Sequence, residues 1–138
     1  MLSKKTQYAF QALIYLADKK KEGKAVLIAE IAEQKKIPLK FLESILLELR
    51  KAGILTSKKG KGGGYFFTVD PATIPLARVM RLMDGPIALL PCVSLNFYER
   101  CQNCNEAACN LHKVMAEVRD ATLQILEKKS VADISSIF

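Results

Sequence analysis

The stretch "IPLKFLESILLELRKAGILTSKKGKGGGYFFTVD", residues 37–70, decides the fold. In its first half Leu42, Ile45, Leu46 and Leu49 recur at i, i+3, i+4 and i+7, which gathers them on one side of a helix and pins that side to a core. Pro38 suits a first helical turn, where its missing N–H has no partner to lose, and Gly53 is the expected C-terminal stop. Lys40, Phe41, Glu43 and Ser44 lie near the start of this helix and mostly off the apolar stripe. Two short β-prone runs, Ile54–Ser57 and Tyr65–Val69, then flank a loop of glycine and lysine. The expectation is a hairpin with a flexible basic tip.

The elements on either side complete the pattern. Ser3 can cap a first helix of about 17 residues that gathers Tyr8, Ala9, Ala12, Leu13 and Leu16 on one face. A charged turn, DKKKEGK, ends it, and a second short helix over residues 28–36 buries Ile28, Ile31 and Ala32. Helix, helix, helix, hairpin is the order of a winged helix-turn-helix, in which the third helix enters the major groove and the wing touches the neighbouring groove. Downstream, Leu76, Val79, Met80 and Met83 repeat the stripe in a fourth helix over residues 74–84, stopped by Gly85. PIALLP is a short extended connector. From Asn105 a long helix is expected to reach Lys129, with Leu111, Val118 and Ile125 every seven residues and Val114 and Ala121 between them. About 25 helical residues span roughly 37 Å, more than a small domain needs for its own packing. Such a seam suits pairing with a second copy of the chain. Ser130 and Asp133 form a capping box for a last short helix. The fold expected is mainly α with a small β-hairpin wing: a winged helix-turn-helix unit over 1–84, then a cysteine-rich loop and dimerisation helix over 85–138.

Charge agrees with that division. The 138-residue chain carries a net +7, and its first half holds all of the excess. Residues 1–64 contain 14 Lys and Arg against 6 Asp and Glu, whereas residues 65–138 contain 7 against 8. A basic half joined to a balanced one points to a polyanionic partner such as double-stranded DNA. No apolar run approaches the length of a membrane span. The opening MLSKKTQYAFQALIYLA is interrupted by Gln7, Tyr8, Gln11 and Tyr15 and lacks a small-residue cleavage site, so it reads as an amphipathic helix of a cytoplasmic protein. In that setting thiols stay reduced, which favours metal or redox chemistry over structural disulfides.

KKGKGGGY, residues 58–65, invites a nucleotide-loop reading, which fails. That loop needs Ser or Thr after its Gly-Lys and a helix after the turn, whereas Gly62 follows Lys61 and strands are expected on both sides. What remains is backbone freedom at a sharp turn, with Lys58, Lys59 and Lys61 supplying charge. With no nucleophile–base pair and one histidine in the whole chain, an enzyme is not expected.

All four cysteines and that histidine fall in "CVSLNFYERCQNCNEAACNLH", residues 92–112, spaced Cys92-x8-Cys101-x2-Cys104-x4-Cys109-x2-His112. Thiolates and an imidazole are ligands for zinc or an iron–sulfur cluster. Structural zinc usually shows two closely spaced pairs, and here there is one with irregular partners. On a helix, Cys109 and His112 would share one face and could reach one centre.

Residues 37–85, the opening LSKKTQYA, the Gly62-Gly63-Gly64-Tyr65 wing and the late cysteine cluster together resemble the winged-helix regulators typified by IscR and NsrR, over nearly the whole chain. The resemblance implies a homodimeric DNA-binding transcription regulator, often controlled by an iron–sulfur cluster. It implies that Ser3, Lys4 and Lys5 contact phosphates, that Lys40, Phe41, Glu43 and Ser44 read bases, and that Lys59 and Lys61 are wing contacts. IscR-like proteins use a glutamate at the Glu43 position to select between site types, and a glutamate can accept from cytosine N4. Lys40, Phe41 and Ser44 depart from the family pattern. Cys92 and Cys109 match the outer two family cysteines, and Cys104 lies nearer the middle position than Cys101. The Cys109-x2-His112 spacing matches the IscR pattern. Three cysteines with His112 suit a 2Fe–2S cluster; four cysteines suit 2Fe–2S or 4Fe–4S, with 2Fe–2S the first expectation. The alternatives are a winged-helix regulator without a cluster, responding through its thiols or zinc, and a small iron–sulfur electron carrier.

Overall fold

A computed structural model describes residues 2–20, 22–102 and 105–135. Its helices are α1 (Lys4–Lys20), α2 (Ile28–Lys35), α3 (Leu39–Lys51), α4 (Leu76–Asp84) and α5 (Asn110–Leu126), and strands β1 (Leu55–Lys58) and β2 (Gly64–Phe67) form an antiparallel hairpin between α3 and α4. Leu42, Ile45, Leu46 and Leu49 are fully buried, as their spacing requires. They meet Ala9, Ala12, Leu13 and Leu16 of α1, Ile31 of α2 and Val79 of α4 in one core. Each such leucine or isoleucine contributes about 1.5–3 kcal/mol through burial.

The end of α3 shows why Gly53 is there. Ala52 closes the helix, Gly53 takes φ 80°, and the N–H groups of Gly53 and Ile54 donate to the carbonyls of Arg50 and Leu49, each at 3.0 Å. This is a Schellman cap, and its left-handed residue favours glycine. Pro38 sits one residue earlier than expected, at the N-cap, where its carbonyl accepts from the Leu42 N–H at 2.9 Å. Between α2 and α3, Lys36 adopts a left-handed conformation (φ 54°, ψ 46°) and Ile37 turns inward into the core.

The wing is tied to the body. Leu55 pairs with Phe67 and Lys58 with Gly64, while Val26, just before α2, exchanges two backbone hydrogen bonds with Tyr65 at 2.9 and 2.7 Å. Gly64 lies under that contact with φ +130°; a Cβ there would come within 2.3 Å of the Val26 carbonyl group. A Cβ on Gly63 would stand 2.4 Å from the Lys58 carbonyl oxygen. These two glycines therefore serve the protein's own close backbone approaches.

α5 is shorter than the expected span of residues 105–129. Asn105 does cap, accepting from the Ala107 N–H at 3.2 Å, but it caps only a 3-10 turn, Glu106–Ala108. Cys109 is extended (φ −85°, ψ 110°) and becomes the N-cap of α5. After α5 the chain returns to the first half: Leu76 N–H donates to the Lys129 carbonyl at 2.9 Å, Val131 N–H to that of Ile74 at 3.0 Å, and Val131 is buried in the main core. Ser130 and Asp133 form the expected reciprocal box, the Ser130 N–H donating to Asp133 at 2.8 Å and the Asp133 N–H to the Ser130 hydroxyl at 3.3 Å. The Ser130 N–H, and its hydroxyl at 3.1 Å, donate to the Asp133 carboxyl and hold it below its usual value. No helix among the described residues is long and apolar enough to cross a membrane.

Candidate nucleic-acid interface and candidate metal centre

Lys40, Phe41, Glu43 and Ser44 are exposed on the side of α3 opposite its buried stripe. Phe41 meets Tyr8 of α1 edge-on, with ring centroids 5.6 Å apart and planes at 89°. The Ser44 hydroxyl donates to the Phe41 carbonyl at 2.8 Å. Lys58, Lys59 and Lys61 are exposed at the end of β1 and on the wing turn. Lys4 is exposed, whereas the other two N-terminal residues are engaged. Lys5 pairs with Glu48 of α3 at 2.9 Å. Ser3 caps α1, accepting from the Thr6 N–H at 3.1 Å, and its hydroxyl donates to Asp84 at 2.5 Å. Burial alone would raise the Asp84 carboxyl, but bonds from Ser3 and Thr6 and the charge of Lys5 hold it below its ordinary value. Leu39 and Leu47 escaped the sequence reading, and Arg50, part of the Leu49-Arg50-Lys51-x-Gly53 stretch that resembles the family, had no role assigned. Leu39 and Leu47 are exposed on α3, and Arg50 donates to the Ser57 hydroxyl at 3.1 Å, bracing helix against wing. Leu47 carries a signal in the sequence, since it stands one position off the apolar stripe.

The cysteine segment converges in part. Cys92 lies in a 3-10 turn, Pro91–Val93, and is 9% exposed. His112, in the first turn of α5, brings Nδ1 to 3.3 Å from the Cys92 sulfur across 20 residues of sequence. The Cys109 sulfur accepts from the His112 N–H at 3.4 Å. Cys109 and His112 are thus neighbours as expected, but by a capping contact instead of a shared helical face. Cys101 is exposed, its thiol 3.7 Å from the Gln102 carbonyl, and Cys104 lies outside the described residues. Tyr98 straps the loop by donating to Glu106 at 2.5 Å, and that carboxylate pushes the phenol up.

Two ligands of one tetrahedral ion stand about 3.5 Å apart at usual metal–sulfur and metal–nitrogen distances. The Cys92–His112 separation fits that edge. Among the described residues, no group of three His, Cys, Asp and Glu is placed to hold a metal ion.

Residues 2–136 match the family model for Rrf2, an iron-dependent transcriptional regulator. The chain belongs to the Rrf2 family. An rrf2-like HTH-type transcriptional regulator of Rhodobacter capsulatus is 41% identical over 136 residues, covering 96% of this chain and 91% of its own. The HTH-type transcriptional regulator IscR of Photorhabdus laumondii is 30% identical over 133 residues, 96% of this chain and 77% of its own. Among solved structures, CymR, the global cysteine regulator of B. subtilis, superposes with a TM-score of 0.81 at 26% identity, over 99% of this chain and 96% of its own. IscR of T. potens gives 0.76 at 25% identity, over 97% and 85%. The winged-helix fold of Rrf2 regulators and the resemblance read from the sequence are both borne out, and the protein is an Rrf2-family transcriptional regulator.

Proposed function

We propose that this protein is a homodimeric, DNA-binding regulator whose grip is tuned by an iron–sulfur cluster bound near the start of α5. The observation that carries the reading is the approach of the Cys92 sulfur to the His112 imidazole, with Cys109 capping the same turn through the His112 N–H, on a helix whose other face is apolar and exposed. Leu111 and Ile125 are 57% and 61% exposed, and Val114 and Val118 lie between them on the same side. Paired with its copy in a second chain, this stripe would bury what one chain leaves in water. Residues 1–84 serve as the DNA-binding unit and residues 85–138 as the sensing and pairing unit.

Cys92, Cys109 and His112 are the proposed ligands, joined by Cys101 or Cys104; a set of four cysteines is the other arrangement. When bound, such a cluster supplies a centre sensitive to oxidants, nitric oxide and iron shortage. The chain's part is mechanical. Holding Cys92 against His112 fixes the 91–93 turn on α5, and releasing it lets α5 shift and changes the spacing of two α3 helices on the duplex. Each 1.4 kcal/mol between those arrangements changes DNA affinity about tenfold. In the DNA-bound state Lys40, Phe41, Glu43 and Ser44 face the bases; Ser3, Lys4, Lys5, Lys58, Lys59 and Lys61 face phosphates. Similarity to IscR relatives supports the cluster.

A second reading is favoured by one contact. The Cys92–His112 approach needs no metal, and likeness to a global cysteine regulator supports a protein that responds through its thiols. The test is DNA binding of anaerobically purified protein before and after chelation, at several salt concentrations. The cluster reading predicts visible absorbance, iron and sulfide, a steep fall of affinity with salt, and a change in affinity on chelation. Colourless protein whose affinity answers only to thiol oxidants would favour the second reading.

A further inference from the structure

α5 has two faces. One carries the exposed stripe of Leu111, Val114, Val118 and Ile125; the other, with His112, Met115, Arg119 and Thr122, is half-buried against the protein's own chain. His112 and Arg119 are seven residues apart, two helical turns, so they share that inner face about 10.5 Å from each other along the axis. Both reach the same short turn. His112 approaches the Cys92 sulfur at 3.3 Å, and the Arg119 guanidinium donates from Nη1 to the carbonyl of Val93, the next residue, at 2.8 Å. Val93 is 1% exposed and Arg119 18%. The rest of the guanidinium is held by Asp120, which accepts from Nε at 2.9 Å and Nη2 at 2.7 Å. Its aim at the Val93 carbonyl is therefore fixed from both sides.

We infer that Arg119 is a positioning residue: its bond to the Val93 carbonyl pins the Pro91–Val93 turn to α5 and so holds the Cys92 sulfur at the His112 imidazole, with or without a metal centre. Arginine is suited to this because its planar fork can serve a carboxylate and a carbonyl at once, which a lysine ammonium does less rigidly. The 91–93 turn lies outside the main core cluster; apart from packing around buried Val93 and a bond from the Glu99 N–H to the Pro91 carbonyl at 3.1 Å, it is held by what α5 offers. Among the described residues, Arg119 supplies the side-chain hydrogen bond from α5 to that turn's backbone, a charge-assisted one. As a statement about cluster binding the inference rests on the reading above; as a statement about Cys92 it does not.

The test uses reduced, metal-free, full-length protein. Alkylation by iodoacetamide is followed at Cys92 by peptide mass spectrometry, with exposed Cys101 of the same molecule as internal reference. Arg119→Met should raise the Cys92-to-Cys101 labelling ratio about tenfold, and Arg119→Lys should fall between it and the parent. Glu117→Gln, exposed on the same helix, should leave the ratio unchanged. An unchanged ratio in Arg119→Met with intact circular dichroism overturns the inference. If that variant does not fold, the same ratio in Arg119→Lys decides, and parental labelling there overturns it equally. After iron and sulfide are supplied, Arg119→Met should lose iron to a chelator several-fold faster than the parent. Should the parent take up no iron while the labelling ratio still rises, the positioning role stands and the cluster reading falls.

Discussion

Helices α3 and α5 are both amphipathic, yet α3 buries four of its 13 residues and α5 buries none of its 17. α3 finds its core within the chain: Leu42, Ile45, Leu46 and Leu49 meet α1, α2 and the start of the wing. α5 rests one half-buried face on its own chain and leaves Leu111, Val114, Val118 and Ile125 in water. The first half holds nearly all of the core, closed by Val131 from beyond α5, whereas α5 leaves an apolar stripe exposed. The same apolar periodicity thus means core in one helix and proposed interface in the other, and only the surrounding chain tells them apart.

The largest expected effect comes from breaking the exposed side. Val118→Glu should put two carboxylates into the proposed seam, weaken self-association roughly 100-fold or more, and cost operator affinity in parallel. Sedimentation velocity checks it, and a parental dimer with glutamate at this position would move the seam elsewhere on the molecule. Folding of α1–α4 should be untouched, since α5 gives that core no fully buried residue.

Next is the better-buried side. Gly64→Ala forces a Cβ into the Val26 backbone at a φ of +130° and should cost roughly 3 kcal/mol, a Tm loss of roughly 10 °C. Gly60→Ala faces open space and is strained only by its φ of +90°, so it should cost about 1 kcal/mol. Equal losses from the two would mean that the wing is not docked on Val26.

A contrast within α3 sharpens the reading of its outer face. Lys40→Glu should weaken binding to every duplex, by repelling phosphate, whereas Glu43→Ala should mainly relax preference at one base position, by about 1–3 kcal/mol. Competition binding across a randomised operator separates them. If both acted alike on all sequences, the orientation assigned to α3 would be wrong.

The smallest effect is at the junction of the halves, where Asp84 accepts from Ser3. Its folded value lies below the ordinary 3.8, so it contributes stability that is present at neutral pH and lost as pH falls from 3.8 through that lower value. Asp84→Asn should be slightly less stable than the parent at pH 7, with the gap closing under acid. A constant gap from pH 7 to pH 3 in urea titrations would contradict the assignment.

Much of this was legible in the sequence. The i, i+3, i+4, i+7 stripe of α3, the Gly53 stop, the Ser3 cap and the Ser130–Asp133 box are local devices, and local chemistry settles them. Asn105 is a good cap in isolation, so the sequence places the start of α5 there, and only the extended backbone at Cys109 shows that it caps a single turn. The Val26–Tyr65 pairing, the Lys5–Glu48 ion pair and the Arg119 bond to Val93 were invisible, since each joins residues 26–43 positions apart with no periodic signal. At the candidate metal centre, spacing named the donors, while distance brings together one pair of donor atoms, the Cys92 sulfur and His112 Nδ1, with Cys109 joined to His112 through the backbone N–H.

The most direct measurement is native mass spectrometry of the full chain purified without oxygen. The account predicts a mass of two chains plus iron and sulfide, with the added mass lost on chelation. A bare single-chain mass under reducing, oxygen-free handling would contradict it.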